Sequence, residues 1–240
     1  MAEIDNGLKA DIAIGIFRKG LLLLGDFTLR SGAWSPYYLD LRPAPSISVD
    51  ETHPTMSRKD QLKFRKDVIQ GYSTVLDSVG DYEHIQAIPE AAVALTAMIG
   101  FARDDSVLYR RVQAKDHGKG TDGILGNYLP GDRTVLVDDL ISTSGAKVDE
   151  KRLVEDISVK SDDNGNIGGL VVSHAVILLD RQTGGKEAAA EAGLQVHEVV
   201  TLSEVLATNR AEGLLDERSW QIIEGYTNGT IQSPDDLKDL

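Results

Sequence analysis

Two adjacent carboxylates, Asp138 and Asp139, stand just ahead of a run of small residues, Ser142, Thr143, Ser144 and Gly145. Backbone N–H groups of such a loop, with the positive end of a helix dipole behind them, can hold a phosphate without any basic side chain. Carboxylates at the carboxyl end of a strand lie where open α/β sheets bind ligands, and their oxygens could accept ribose hydroxyls or hold a hydrated Mg²⁺. The surrounding residues supply the needed elements: Val135, Leu136 and Val137 read as a short buried strand, and a helix opens near Ala146. Residues 135–146 also fit a strand that simply ends in an Asp-rich turn, so these residues alone leave both readings open.

Other side chains could work with such a cradle. Residues 113–132 carry five glycines and little apolar periodicity, the composition of a long loop or lid, and Lys115 and His117 lie on it. Arg110, Arg111, Lys115, His117 and Lys119 form a basic cluster within ten residues, which an anionic ligand would need in a chain of net charge −13. By residue type alone, Lys115 and His117 read as solvated charges on that segment. Arg181 follows an apolar strand, and its planar fork suits bidentate binding of a carboxylate, with a salt bridge to Asp180 as the plain alternative. Tyr38 could lie against a flat ring or pack in the core. His53, His84, His174 and His197 show no ligand spacing and read as structural or surface residues. Glu150, Lys151, Arg152 and Glu155 read as a solvated helix face.

The elements that must position these groups alternate along the chain. Apolar spacing at Leu8, Ile12, Ile16 and Leu23 predicts a helix over residues 5–24, and short strands are expected at 27–29 and 37–41. Prolines 43, 45 and 54 break the next stretch into a loop over residues 42–55, before a helix at 57–79 capped by Ser57. Strands near 84–88, 107–110, 134–137, 170–179 and 195–199 then alternate with helices near 91–102, 146–157 and 186–192. That alternation predicts a parallel sheet flanked by helices. Residues 161–169 are a polar, glycine-rich insertion expected as an exposed loop or hairpin tip, and the tail from Asn228 is expected to fray.

Composition narrows the class. The 240 residues, 41% of them hydrophobic, suffice for one α/β core. With no cysteine there are no disulfides or thiolate metal sites, in keeping with a reducing cytoplasm. No apolar run is long enough to span a bilayer and no basic n-region opens the chain, so a soluble cytoplasmic protein without a membrane partner is expected. The negative charge makes nucleic acid a poor partner.

Five segments together carry a resemblance. The 135–146 run resembles the phosphoribosyl diphosphate (PRPP) signature of type I phosphoribosyltransferases. Phe27-Thr-Leu-Arg-Ser-Gly32 with Ser35-Pro-Tyr-Tyr-Leu39, Ala114-Lys-Asp-His-Gly118, and Leu178-Leu-Asp-Arg-Gln182 with Gly184-Gly-Lys186 resemble, in order, segments of the orotate phosphoribosyltransferases. Two positions that are basic in that family are apolar here, Val112 and Ala92, and Arg30 replaces a lysine. The phosphate loop aligns in either of two registers, with Ser142 at the family's threonine or with Thr143, Ser144 and Gly145 shifted by one.

The resemblance implies a type I phosphoribosyltransferase fold, an α/β central parallel sheet with a small N-terminal hood over residues 1–55, a core at 56–210 and a C-terminal helix and tail at 211–240. It implies Mg²⁺-dependent conversion of orotate and PRPP to orotidine 5′-monophosphate and diphosphate, in UMP synthesis, by a homodimer whose lid loop is shared across the interface. Lys115, His117, Asp138 and Asp139 become the expected catalytic residues. Arg30, Arg111, Lys115, His117, Asp138, Asp139, Leu140, Ile141, Ser142, Thr143, Ser144, Gly145 and Ala146 are expected at PRPP. Tyr38, Leu39, Ser142, Thr143 and Arg181 are expected at orotate. No direct protein ligand to Mg²⁺ is expected beyond a water-mediated contact from Asp138 or Asp139. A phosphoribosyltransferase for another base, or a PRPP- or nucleotide-sensing regulator on the same fold, are the alternatives.

Overall fold

The computed structural model describes residues 4–29, 32–47, 56–112, 123–161 and 164–239. The chain begins with α1 (Asn6–Arg18), β1 (Leu22–Thr28), β2 (Trp34–Leu39) and the long α2 (Arg58–Val79). It continues through β3 (His84–Ala87), α3 (Val93–Arg103), β4 (Ser106–Arg110), β5 (Ile124–Leu125), β6 (Arg133–Ile141) and α4 (Gly145–Ile157). A small hairpin of β7 (Lys160–Ser161) and β8 (Ile167–Gly168) precedes β9 (Val171–Asp180), α5 (Gly185–Glu191), β10 (Gln195–Thr201), α6 (Leu202–Ala211) and α7 (Glu217–Thr227). Helix α2 begins where its cap residue predicts: Ser57 Oγ accepts the Asp60 N–H at 3.2 Å and donates to the Asp60 carboxylate at 2.6 Å.

The chain divides into two units, one of residues 1–5 and 66–201, the other of residues 6–65 and 202–240. In the first, six strands form one sheet in the order β10-β9-β6-β3-β4-β5. All neighbours are parallel except β5, which runs antiparallel to β4. The reason is visible in β9, where Ala175 to Leu179 are all 0% exposed. A strand apolar on both faces must be covered on both, which parallel strands with helical crossovers achieve. Helices α3, α4 and α5 pack against this sheet.

The second unit joins residues 6–65 to the C-terminal segment from Leu202. Its β1–β2 hairpin carries a bulge between Leu24 and Phe27. Helix α1 packs on α6, where buried Asn209 donates through Nδ2 to the Ala13 carbonyl at 3.0 Å. A Cβ at Gly15 would lie 2.0 Å from the Phe64 ring, so glycine is needed for this approach.

Several sequence expectations are corrected here. The first helix stops at Arg18, not near Leu24, because Gly20 turns the chain at φ +70° and Leu22 to Leu24 pair with β2 instead. Leu23, expected on an apolar helix face, is an exposed strand residue. The tail does not fray among its described residues: Asp236 accepts the N–H groups of Gln232 and Ser233, both at 2.8 Å, and a 3₁₀ turn spans Pro234–Asp239. At the 161–169 insertion, Lys160 and Ser161 pair antiparallel with Gly168 and Ile167. His174 and His197, scattered in sequence, lie on the adjacent strands β9 and β10 with Nδ1 and Nε2 3.1 Å apart, and burial holds both rings below the usual imidazole pKa.

Candidate active site

Strand β6 lies between β3 and β9 and carries both carboxylates in its carboxyl-terminal half. It runs on to Ile141, further than the short strand predicted, so the loop begins only at Ser142. The two acids have different surroundings. Asp138 is buried, and both its oxygens are engaged: Oδ1 accepts the Asp139 N–H at 2.9 Å and Oδ2 accepts Lys147 Nζ at 2.7 Å. Asp139 is only half-buried, with Oδ1 accepting the Leu140 N–H at 2.8 Å. Burial, and then the neighbouring charge of Asp138, push the Asp139 carboxyl up to about 7. Asp139 is therefore the acid with capacity left for a ligand. Beneath them, the Tyr72 hydroxyl donates to the Asp138 carbonyl at 2.5 Å, and burial beside the two acids keeps this phenol protonated far above neutral pH.

The loop Ser142, Thr143 and Ser144 leads directly into α4 at Gly145. Ser144 occupies the N-cap position without a side-chain capping bond, and its carbonyl accepts the N–H groups of Lys147 and Val148, both at 3.0 Å. Among the described residues, no acceptor is bonded to the Gly145 or Ala146 N–H, which leaves the first turn of α4 its ordinary orphan donors at the positive end of the helix dipole. Gly145 faces open space, since a Cβ there would meet nothing within 4 Å. Exposed backbone donors at a helix start are a general anion-binding arrangement.

A second turn supports the cradle from the side. After β9, the Arg181 N–H donates to the Ile141 carbonyl at 3.0 Å and Thr183 Oγ1 donates to the Ser142 carbonyl at 2.5 Å. Asp180 folds back to accept the Gln182 N–H at 2.7 Å, with Gln182 at φ +59° and Gly184 at φ +82°. Gly185 then approaches so closely that a Cβ would lie 2.8 Å from the Ser142 carbonyl oxygen. The Gly-Gly pair thus has a local reason: the first glycine takes a left-handed turn, and the second leaves room for the phosphate loop.

Strands β4 and β5 flank residues 113–122, with Arg110 paired to Ile124 and the Arg111 N–H donating to the Gly123 carbonyl at 2.8 Å. Part of the loop expected over 113–132 is therefore the ordered strand β5 and its following turn. Lys115 and His117, like Arg30, lie outside the described residues. Arg111 is half-buried and Val112 exposed just after β4, whereas Ala92, the other apolar position of the pair, is fully buried at the start of α3. Tyr38 and Leu39 belong to the second unit. Alternation along β2 buries Tyr37 and Leu39 and exposes Tyr38, whose ring centroid lies 5.6 Å from that of Phe27.

Two sequence readings change. Arg110 is no part of a free basic cluster: its Nε and Nη2 meet the Glu150 carboxylate at 2.8 and 2.7 Å. Glu150 in turn is 4% exposed, not on a solvated helix face, because α4 turns it toward the sheet. Sequence reading also missed Lys147 and Tyr72; a lysine in the first turn of a helix that follows paired acids was the available signal.

No family model matches the chain. An orotate phosphoribosyltransferase of Saccharolobus solfataricus is 31% identical over 191 residues, covering 80% of this chain and 83% of the relative. The chain belongs to the orotate phosphoribosyltransferase family. A solved structure of Leishmania donovani UMP synthase superposes with a TM-score of 0.72 at 24% identity, over 93% of this chain and 43% of that one. The Mycobacterium tuberculosis orotate phosphoribosyltransferase, solved in complex with PRPP, gives a TM-score of 0.57 at 23% identity over 82% of this chain and 98% of that one. These likenesses speak for the fold, which is the type I phosphoribosyltransferase fold expected from the sequence.

Proposed function

We infer that the protein converts orotate and PRPP into orotidine 5′-monophosphate and diphosphate, the phosphoribosyl transfer of pyrimidine biosynthesis. The observation that carries this reading is the run of backbone donors at 142–146 set beside the half-buried Asp139 carboxylate, in a chain of this family. The 5-phosphate of PRPP takes the loop and first turn of α4, and Asp139 accepts the ribose hydroxyls. During transfer, the bond from ribose C1′ to the diphosphate oxygen breaks as a bond from orotate N1 forms, and the N1 proton leaves to solvent. Positive charge grows on the ribose ring and negative charge on the departing diphosphate. Arg111 at the lid root, with Arg30, Lys115 and His117, is proposed to meet that diphosphate, stabilising the transition state more than the bound substrate. A closing lid would also keep water from the activated sugar. Mg²⁺, when bound, would neutralise diphosphate charge, held mainly by the substrate's own oxygens with a water-mediated contact from Asp138 or Asp139.

Arg181 is proposed to pair with the carboxylate that distinguishes orotate from uracil, from the turn that also braces Ser142. Ser142, Thr143, Tyr38 and Leu39 are proposed as further orotate contacts, Leu39 through its backbone because its side chain is buried. The family resemblance supports a homodimer with lid loops acting across its interface. The test is diphosphate release from PRPP with and without orotate, and with and without added Mg²⁺. Release that depends on both is expected. Release with another base in preference to orotate changes the substrate, and PRPP binding without any base-dependent release replaces the enzyme with a sensor.

A further inference from the structure

The face of the sheet that α4 covers is charged in a way the reaction itself does not require. Strand register sets Gln86 of β3 opposite Leu108 of β4 and Leu136 of β6. Alternation by two places Arg110 and Asp138 on the same face. Helix α4 presents Lys147 and Glu150, three residues apart and so on one side of the helix, to these groups. Lys147 Nζ meets Asp138 Oδ2 at 2.7 Å and Glu150 meets Arg110 at 2.7 Å. The first pair is buried, with side-chain exposures of 5% and 8%, and the second joins a partly buried Arg110 at 14% to a buried Glu150 at 4%. Gln86 Nε2 adds a hydrogen bond to Glu150 at 3.2 Å. Their polarity is opposed: the helix gives the cation to β6 and the anion to β4. Arg110 also reaches past Glu150, donating through Nη1 to the Arg111 carbonyl at 3.1 Å, at the root of the lid.

We infer that Lys147 and Glu150 are positioning residues that lock the phosphate cradle, Asp138 and the lid root into one rigid frame, and so set PRPP affinity without touching PRPP. This rests on the reading of residues 142–146 as the PRPP cradle. The orphan N–H groups of Gly145 and Ala146 stand within two residues of Lys147, so α4 cannot slide or rotate on the sheet without moving them. Two pairs on adjacent helical turns fix both its position and its rotation, since a shift that keeps one pair would break the other. Hydrophobic packing alone is less directional, and a buried charge left without its partner is costly enough to force rearrangement.

The test compares the full-length wild type with Lys147→Met, Glu150→Gln and Lys147→Arg. PRPP binding is measured by calorimetry in the presence of Mg²⁺, steady-state KM is measured for both substrates, and folding is checked by circular dichroism and thermal melting. Both Lys147→Met and Glu150→Gln should weaken PRPP binding about tenfold or more, as expected for donors displaced by a fraction of an ångström, while KM for orotate changes less than about twofold. Lys147→Arg, which keeps the charge, should restore most of the affinity. Folded variants with lowered melting temperature but wild-type PRPP affinity would overturn the inference and leave the pairs purely structural. An equal rise in KM for both substrates overturns it as well. Absence of PRPP binding by the wild type overturns the cradle reading and this inference with it. Should Lys147→Met not fold, Glu150→Gln decides by the same criteria.

Discussion

Replacing Gly185 by alanine tests the cradle at a point that makes no ligand contact. The added Cβ would lie 2.8 Å from both the Ser142 carbonyl oxygen and Ile141 Cγ1, and 3.1 Å from Ile141 Cδ1. Ile141 is fully buried and has little room to swing away, and the Ser142 carbonyl already accepts the Thr183 hydroxyl. Restoring an ordinary contact of 3.4 Å requires about 0.6 Å of separation between the start of α5 and the phosphate loop. Overpacking of this kind costs about 1–3 kcal/mol of stability, or about 2–4 °C in melting temperature for each kcal/mol in a chain of this size. Because a misplacement of about 1 Å can cost about 10²-fold in rate, a loss of about 10-fold in kcat/KM for PRPP is expected. The neighbouring Gly184→Ala supplies the comparison. It is strained by its φ of +82° but meets nothing within 4 Å, so it should cost about 1 kcal/mol while leaving PRPP kinetics nearly intact. Melting curves and initial rates over a PRPP series distinguish the two. Equal stability losses with wild-type kcat/KM in both variants would refute the proposed coupling between α5 and the loop.

Three further outcomes follow from the same site. Asp139 holds its proton more tightly in the folded chain, to about 7, than the usual carboxyl near 3.8, so its contribution to stability is complete below about pH 4 and lost as pH rises through 7. Asp139→Asn should therefore melt above the wild type at pH 8, by at most about 4 kcal/mol, with a gap that closes toward pH 4, while losing activity; a gap that does not change with pH counts against the assignment. Lys115→Ala should lower kcat by about 10²-fold with a smaller change in PRPP binding, and mixing it with an inactive phosphate-loop variant should recover part of the activity if lids act across a dimer. Mixed dimers that form and stay inactive remove the shared lid. Arg181→Ala should raise KM for orotate and narrow the orotate-to-uracil ratio in kcat/KM, leaving KM for PRPP nearly unchanged; an unaltered ratio removes Arg181 from base selection.

The local pattern of residues was enough for much of this protein. Three aliphatic residues, two acids and a small-residue loop specify strand, turn and helix N-terminus within residues 135–146, because each depends on neighbours a few positions away. The Ser57 cap and the apolar β9 were legible for the same reason, and ordered motifs from Phe27 to Lys186 pointed to the family. What the sequence left hidden depends on which faces meet. Leu21 to Leu24 fit a helix until β2 offers backbone partners, and pairing then outweighs the helical spacing. Asp138 and Asp139 look equivalent in the chain, yet Lys147 pairs with the first, while the second accepts the Leu140 N–H. Arg110 and Glu150 are 40 residues apart and read as separate surface charges until β4 and α4 bury them against each other. Periodicity reports which side of an element is apolar, but a buried charge is recognisable only once its partner from another element has been brought to it, and the tertiary structure alone makes that pairing.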